Sequence, residues 1–176
     1  NGKTPYYITV DSQLPVDYAG RLVFASAGAF ANNPFNELWV PLVEKAYAQL
    51  AEFGWLDTGG EAENSYDAIN AGWPGDAMAQ VTGKPVEDLL MLSNEKTITK
   101  TFSSKRPVTF ISTLEPKSSD IVENHVYVML GYNSRTKEFI LFNPWGLSNN
   151  SLPAIINFTW SQLQENFYAW DLGPKL

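Results

Sequence analysis

The chain has no cysteine and only one histidine among its 176 residues. Without cysteine there can be no disulfide, no thiolate metal site and no cysteine nucleophile carried on these residues. The compartment stays open, because secreted and intracellular proteins can both lack cysteine. A lone imidazole has none of the companions that a transition-metal site takes, so neither a metal nor a cofactor is expected. Basic residues are also scarce: 12 Lys and Arg stand against 19 Asp and Glu, for a formal net charge of -7. The only basic pair is Lys105-Arg106, which argues against nucleic acid, since phosphate binding needs clustered cations. No apolar run approaches the roughly 18 residues of a membrane span. The longest, LVFASAGAFA at Leu22 to Ala31, is short and broken by Ser and Gly. The opening NGKTPYYITV lacks the order of basic, apolar and small residues that makes a signal peptide. It reads as a strand entered in mid-fold, so the chain is taken as a fragment of a larger protein.

Apolar residues are plentiful. At 44% hydrophobic and 14% aromatic, the sequence can pack a core and is too apolar for disorder. Its length fits one domain or one large part of a bigger one. The β-rich run YYITVD (Tyr6 to Asp11) reads as a strand, as does RLVFASA (Arg21 to Ala27). Leu38, Leu42, Ala46 and Leu50 recur at helical spacing, with Asn36 as N-cap. Pro41 calls for either a lead-in turn with the main helix starting near it, or a bend there. Trp39, Tyr47, Phe53 and Trp55 are read as core aromatics. A short helix fits Tyr66 to Asn70, and GDAMAQVTG makes a turn or two ending at Gly83. PVEDLLMLS, with Pro85 at its start, reads as another short helix. PVTFISTL is a strand, and the closing stretch gives a strand, a short helix around Ser161 to Asn166 and an aromatic strand. Helices first and antiparallel strands later indicate α+β, divided as a helical part at 1–92 and an antiparallel β part at 93–176.

The informative stretch is ENHVYVMLGYNSRTKEFILFNPWG, Glu123 to Gly146. Two β-rich runs meet through NSRTK, as in a hairpin. A three-residue loop (Asn133 to Arg135) sets His125 directly opposite Asn143. A five-residue loop sets His125 opposite Trp145 and leaves Asn143 one diagonal away. In either register both side chains point to the same sheet face, within reach of a hydrogen bond. Chemistry uses such a pair to hold an imidazole in one orientation while its other nitrogen exchanges a proton with a nucleophile. Alternatively, a strand histidine is an ordinary surface or satisfied core residue, and Asn-Pro-Trp-Gly is a strand end with Trp in the core. No Gly-x-Ser-x-Gly elbow supports a serine nucleophile.

These residues resemble the calpain-type cysteine proteases, which are papain-like in fold. That family carries a His-x-Tyr strand followed by an Asn-Pro-Trp-Gly strand end, here NHVYVMLGY and FNPWG. YYITVDSQLPV, RLVFASA, NELWVPLVEKAYAQL, DAMAQVTG and INFTWSQLQENFYAWDL resemble further family segments, in family order. The resemblance implies a papain-like fold that lacks its N-terminal Cys-bearing segment, with a core helix and an antiparallel β-sheet subdomain. It implies His125 as general base and acid, Asn143 as its orienting partner, and Trp145 as the shield of their hydrogen bond. Gly83 and Asn124 match substrate-cleft positions, with departures: Thr-Gly-Gly is here Thr82-Gly83-Lys84, and Asn124 stands where the family has Gly. The nucleophile and its oxyanion-hole Gln would lie upstream, in a Gln-x-x-x-x-x-Cys-Trp-like helix on the same or a separate chain. The implied function is the His/Asn-bearing portion of an endopeptidase that cleaves protein or peptide substrates through an acyl-enzyme, inactive alone. The alternative is a non-catalytic calpain-like binding or scaffolding module. In calcium-dependent members the loop after Asn-Pro-Trp-Gly is long and acidic. Here LSNNSLPAI has no carboxylate, and no calcium site is expected in it.

Overall fold

A computed structural model describes residues 5–25, 29–35, 37–54, 63–89, 94–145 and 152–175. The chain divides into two compact units, Asn1–Asp76 and Ala77–Leu176. The described elements are helices and one antiparallel sheet, an α+β arrangement.

The first unit is built on helix α1, Trp39–Ala51. Its first closed bond runs from the Leu42 N–H to the Leu38 carbonyl, at 3.1 Å. Pro41 therefore sits in the first turn, where a missing N–H costs nothing, and the helix begins two residues before it. Asn36 lies outside the described residues; the N-cap position is Leu38, whose side chain makes no capping bond. The helix buries Pro41, Ala48 and Ala51. Trp39 is 63% exposed and Phe53 is also exposed, so the reading of these two as core is corrected. Tyr47 is half-buried, and Trp55 lies outside the described residues. The small residues form the buried stripe because they allow close approach, whereas Trp39 falls on another side of the helix. Tyr6–Asp11 is irregular chain rather than a strand. It is held by Lys45 of α1, whose Nζ lies 2.5 Å from Asp11 Oδ1 and 2.6 Å from the Gln13 carbonyl. The second expected strand is reduced to isolated bridges, Arg21 with Phe30 and Val16 with Leu22; residues 26–28 lie outside the described set. β-propensity alone did not suffice there, because a strand needs a paired neighbour along its length. A 3₁₀ turn at Asp67–Ile69 occupies the short helix expected nearby.

Helix α2, Pro74–Thr82, runs across the boundary between the units. The second unit holds β1 (Glu87–Leu89), α3 (Glu95–Ser103), β2 (Val108–Ser112), β3 (Val126–Asn133), β4 (Glu138–Phe142), β5 (Ile155–Thr159), α4 (Trp160–Asn166) and β6 (Phe167–Leu172). All pairings are antiparallel, in the order β1-β6-β2-β3-β4-β5. Of the helix expected at 85–93, Glu87–Leu89 is corrected to the short edge strand β1, paired with β6, and residues 90–93 lie outside the described residues. Arg106 ties that edge down, with Nε donating to the Gly173 carbonyl at 2.8 Å and Nη2 lying 3.2 Å from Glu87 Oε1. Helix α3 escaped the sequence reading. Its start is marked by Asn94, whose Oδ1 accepts from the Thr97 N–H at 2.9 Å, and Ile98 is its buried residue.

One sheet face carries the core: Val108 and Phe110 of β2, Tyr127 and Met129 of β3, Phe139 and Leu141 of β4, and Trp170 and Leu172 of β6. Ile98 and Leu163 close this face from α3 and α4. Alternate residues of a strand share a face. His125, just before β3, and Asn143, just after β4, therefore continue two rows of core residues at the end of the sheet.

Candidate active site

His125 and Asn143 share a face for a reason different from the one read in the sequence. The β3–β4 loop has four residues, Ser134–Lys137, between the paired Asn133 and Glu138. Asn133 sets this length: its Oδ1 accepts from the Arg135 N–H at 3.0 Å, and Lys137 closes the loop with a φ of 60° and a 2.8 Å bond to the Asn133 carbonyl. An even loop alone would turn His125 and Asn143 to opposite faces. The register shifts between Met129 and Gly131, so Leu130 has no partner across the ladder. This bulge adds the residue that restores the parity. Beyond it Val128 pairs with Phe142, and continuing that pairing sets His125 opposite Trp145, with Asn143 one diagonal away.

At this end of the sheet His125 Nε2 lies 3.0 Å from Asn143 Oδ1. The same oxygen accepts from the Trp145 backbone N–H at 3.1 Å. A backbone N–H can only donate, so the Asn143 atom facing both groups is its oxygen, and Nε2 must carry the proton. Nδ1 is then the unprotonated nitrogen, free to accept. Asn143 is 1% exposed, and its own N–H is bound by the Ala154 carbonyl at 2.8 Å. Asn143 is thus bound to main chain through both its own N–H and its side-chain oxygen. Burial pushes the His125 pKa below its ordinary 6.5, and the bond to Asn143 opposes this only in part. At neutral pH the imidazole is therefore uncharged, the form that can take a proton.

Two rings confine the imidazole. The Tyr127 ring meets it edge-on, with centroids 5.3 Å apart and planes at 84°. The Trp145 ring leans on it at 4.9 Å and 45°, while remaining 46% exposed. Trp145 thus rests against the imidazole and keeps an exposed face of its own.

A model described as calpain family cysteine protease matches residues 3–167. The chain belongs to the calpain family. Similar proteins include the calpain-type cysteine protease DEK1 of Arabidopsis thaliana, 31% identical over 52% of this chain and 3% of that protein. The calpain-type cysteine protease ADL1 of Oryza sativa subsp. japonica is 27% identical over 78% of this chain and 6% of its own length. Calpain-12 of Mus musculus is 26% identical over 96% of this chain and 22% of its own length. The chain thus spans less than a quarter of each of these calpains.

The remaining candidate positions of this calpain-family chain separate. Asn124 adjoins His125 and adopts a left-handed φ of 46°, its N–H held by the Thr113 carbonyl at 3.1 Å. That conformation suits glycine and is tolerated by asparagine. Gly83 follows α2 with a φ of 65°, its N–H bound to the Ala79 carbonyl at 2.8 Å as a helix C-terminal glycine. Its hydrogen bond ties it to the helix and not to the His125 group. Of the loop at 147–155 expected to lack a calcium site, residues 147–151 lie outside the described residues. Among the described residues no group of three or more His, Asp or Glu could hold a metal ion, and no helix is long and apolar enough to cross a membrane.

Sequence reasoning missed two hydroxyls at this site, Ser112 and Tyr127. Tyr127 had a signal in the His-x-Tyr motif. Ser112 had none, since in the sequence it is only the last residue of the β2 run, Val108–Ser112.

Proposed function

We propose that this chain is the His/Asn-bearing portion of a calpain-family cysteine endopeptidase, with a papain-like fold that a Cys-bearing segment on the same or another chain completes. The observation that carries the reading is the 3.0 Å approach of His125 Nε2 to the buried carboxamide oxygen of Asn143. It leaves Nδ1 as the proton acceptor, which is the arrangement a thiol nucleophile requires.

In this reading Nδ1 takes the proton of the thiol, and Asn143 holds the resulting imidazolium through Nε2–H. The thiolate attacks the peptide carbonyl carbon, the C–N bond breaks, and the imidazolium returns its proton to the departing amine. Water then attacks the thioester while His125 takes a proton from it. The carboxylic acid leaves and the thiol is restored. Trp145 screens the His125–Asn143 bond from water, which strengthens it by lowering the local dielectric. Protein or peptide is the substrate class, and Asn124 and Gly83 are the candidates for contact with it.

The absence of cysteine from all 176 residues favours a second reading, a non-catalytic calpain-like binding or scaffolding module. The two separate in one experiment. The chain is co-expressed with the Cys-bearing segment of a calpain and assayed on a generic fluorogenic peptide. Hydrolysis that disappears in His125→Ala supports the protease. Hydrolysis unchanged in His125→Ala, or none in either protein although the segments copurify, supports the module.

A further inference from the structure

His125 precedes the first residue of β3 and follows Asn124, whose backbone is left-handed. A side chain at such a junction keeps one orientation only if the main chain beneath it is held. We propose that Ser112 and Tyr127 are positioning residues for His125, acting through a hydroxyl clamp on the Val122–His125 turn.

Ser112 lies across the sheet from His125. The Ser112 N–H donates to the His125 carbonyl at 2.9 Å. In a regular antiparallel ladder such a pair exchanges both bonds, so the His125 N–H would return to the Ser112 carbonyl. Here it donates instead to the Ser112 side-chain Oγ at 2.8 Å. The ladder is irregular at this point, since the β2–β6 register shifts between Ile111 and Ser112. The hydroxyl thus replaces the carbonyl that the shifted strand no longer presents. The same Oγ lies 2.6 Å from the Val122 carbonyl, to which it donates, and 3.1 Å from that of His125. On the other side of Val122, its N–H donates to the Tyr127 hydroxyl at 2.9 Å. Two side chains therefore grip Val122 at its N–H and its carbonyl, and one of them also grips His125. Ser112 and Tyr127 are both fully buried, at 0% exposure, so water cannot take over their bonds. Because the Tyr127 ring also meets the imidazole edge-on, its position is coupled to His125 twice.

The clamp rests on the catalytic reading of His125, but its test requires no catalysis. His125 is the only histidine, so nitrogen-15 NMR of the full 176-residue chain reports one imidazole. The expected wild-type spectrum is a single tautomer protonated at Nε2. Ser112→Ala and Tyr127→Phe should each give a mixture of tautomers and raise the histidine pKa toward its free value. Ile156→Val, a core change on β5 away from the clamp, should leave tautomer and titration as they are, which separates positioning from general loosening. Ser112→Thr, which keeps the hydroxyl, should restore the wild-type spectrum. If Ser112→Ala fails to fold, Tyr127→Phe decides, because it gives up the bond to the Val122 N–H and keeps the ring, whereas Ser112→Ala gives up the Oγ contacts to Val122 and to both the N–H and the carbonyl of His125. In the protein reassembled with a Cys-bearing segment, either variant should lower kcat by about tenfold to a hundredfold with little change in KM, as a small misplacement of a catalytic group does. A folded variant with unchanged tautomer and titration overturns the clamp, whether or not the assembly is active. An altered spectrum in an assembly that never hydrolyses peptide upholds the clamp and overturns the catalytic reading instead.

Discussion

Replacing Asn143 by alanine should destabilise the chain by about 2 kcal/mol, because one oxygen serves two donors. Asn143 Oδ1 accepts from His125 Nε2 at 3.0 Å and from the Trp145 N–H at 3.1 Å. A fully buried donor left without an acceptor costs about 1 to 3 kcal/mol. His125 is half-buried and Trp145 half-exposed, so water partly replaces the lost acceptor, and about 1 kcal/mol for each donor is the appropriate end of that range. Asn143→Asp keeps an acceptor in place but adds a carboxylate beside Nε2. It should raise the His125 pKa above 6.5, since an opposite charge favours the imidazolium. Urea denaturation followed by tryptophan fluorescence measures the first effect, with the slope of the transition unchanged. Proton NMR of the single histidine measures the second. A loss below about 0.5 kcal/mol in Asn143→Ala, with His125 titrating as before, would refute the claim that this oxygen organises the site.

Stability should also respond to pH through His125. Its pKa is lowered in the fold by burial, so its contribution is present above pH 6.5 and lost as pH falls through the lower folded value. The difference in stability between wild type and His125→Ala, measured by thermal melts from pH 8 to 5, should therefore shrink toward the acid end. At the other end of the second unit, α4 begins with a capping box in which Gln162 Oε1 accepts from the Thr159 N–H at 2.9 Å. Thr159→Ala should cost about 1 kcal/mol of stability in the same melts and leave the histidine titration unmoved.

The site was legible in the sequence because two features survived every detail of the loop. His125 and Asn143 flank β-rich runs of the right length, and the Asn-Pro-Trp-Gly end repeats a family pattern. Their common face was inferred from an odd loop, whereas the hairpin uses a four-residue loop and a bulge at Leu130. Sequence spacing cannot reveal two irregularities whose effects on parity cancel. β2, the hairpin, β5, α4 and β6 were read from runs that have partners within the second unit. Tyr6–Asp11 has the same β-rich composition and no strand neighbour among the described residues, so composition misled there. Glu87–Leu89 went the other way, drawn into the sheet by β6 despite a helix-like context. Helix α3 was overlooked because its sequence, EKTITKTFS, has β-branched residues that mask the spacing of Ile98 and Phe102. Ser112 could not be found from the sequence, because its role depends on a register shift that only the paired strands create.

The central claim, that His125 is set to activate a thiol, is tested most directly by the pH dependence of thiol alkylation after reassembly with a Cys-bearing segment. An unassisted cysteine ionises near pH 8.5, whereas one paired with an imidazolium ionises well below neutrality. In the wild-type assembly the rate of iodoacetamide labelling should already be at its plateau by pH 7. In His125→Ala it should climb only as pH approaches about 8.5. Identical profiles in the two proteins would contradict the account, whatever the geometry of the His125–Asn143 pair.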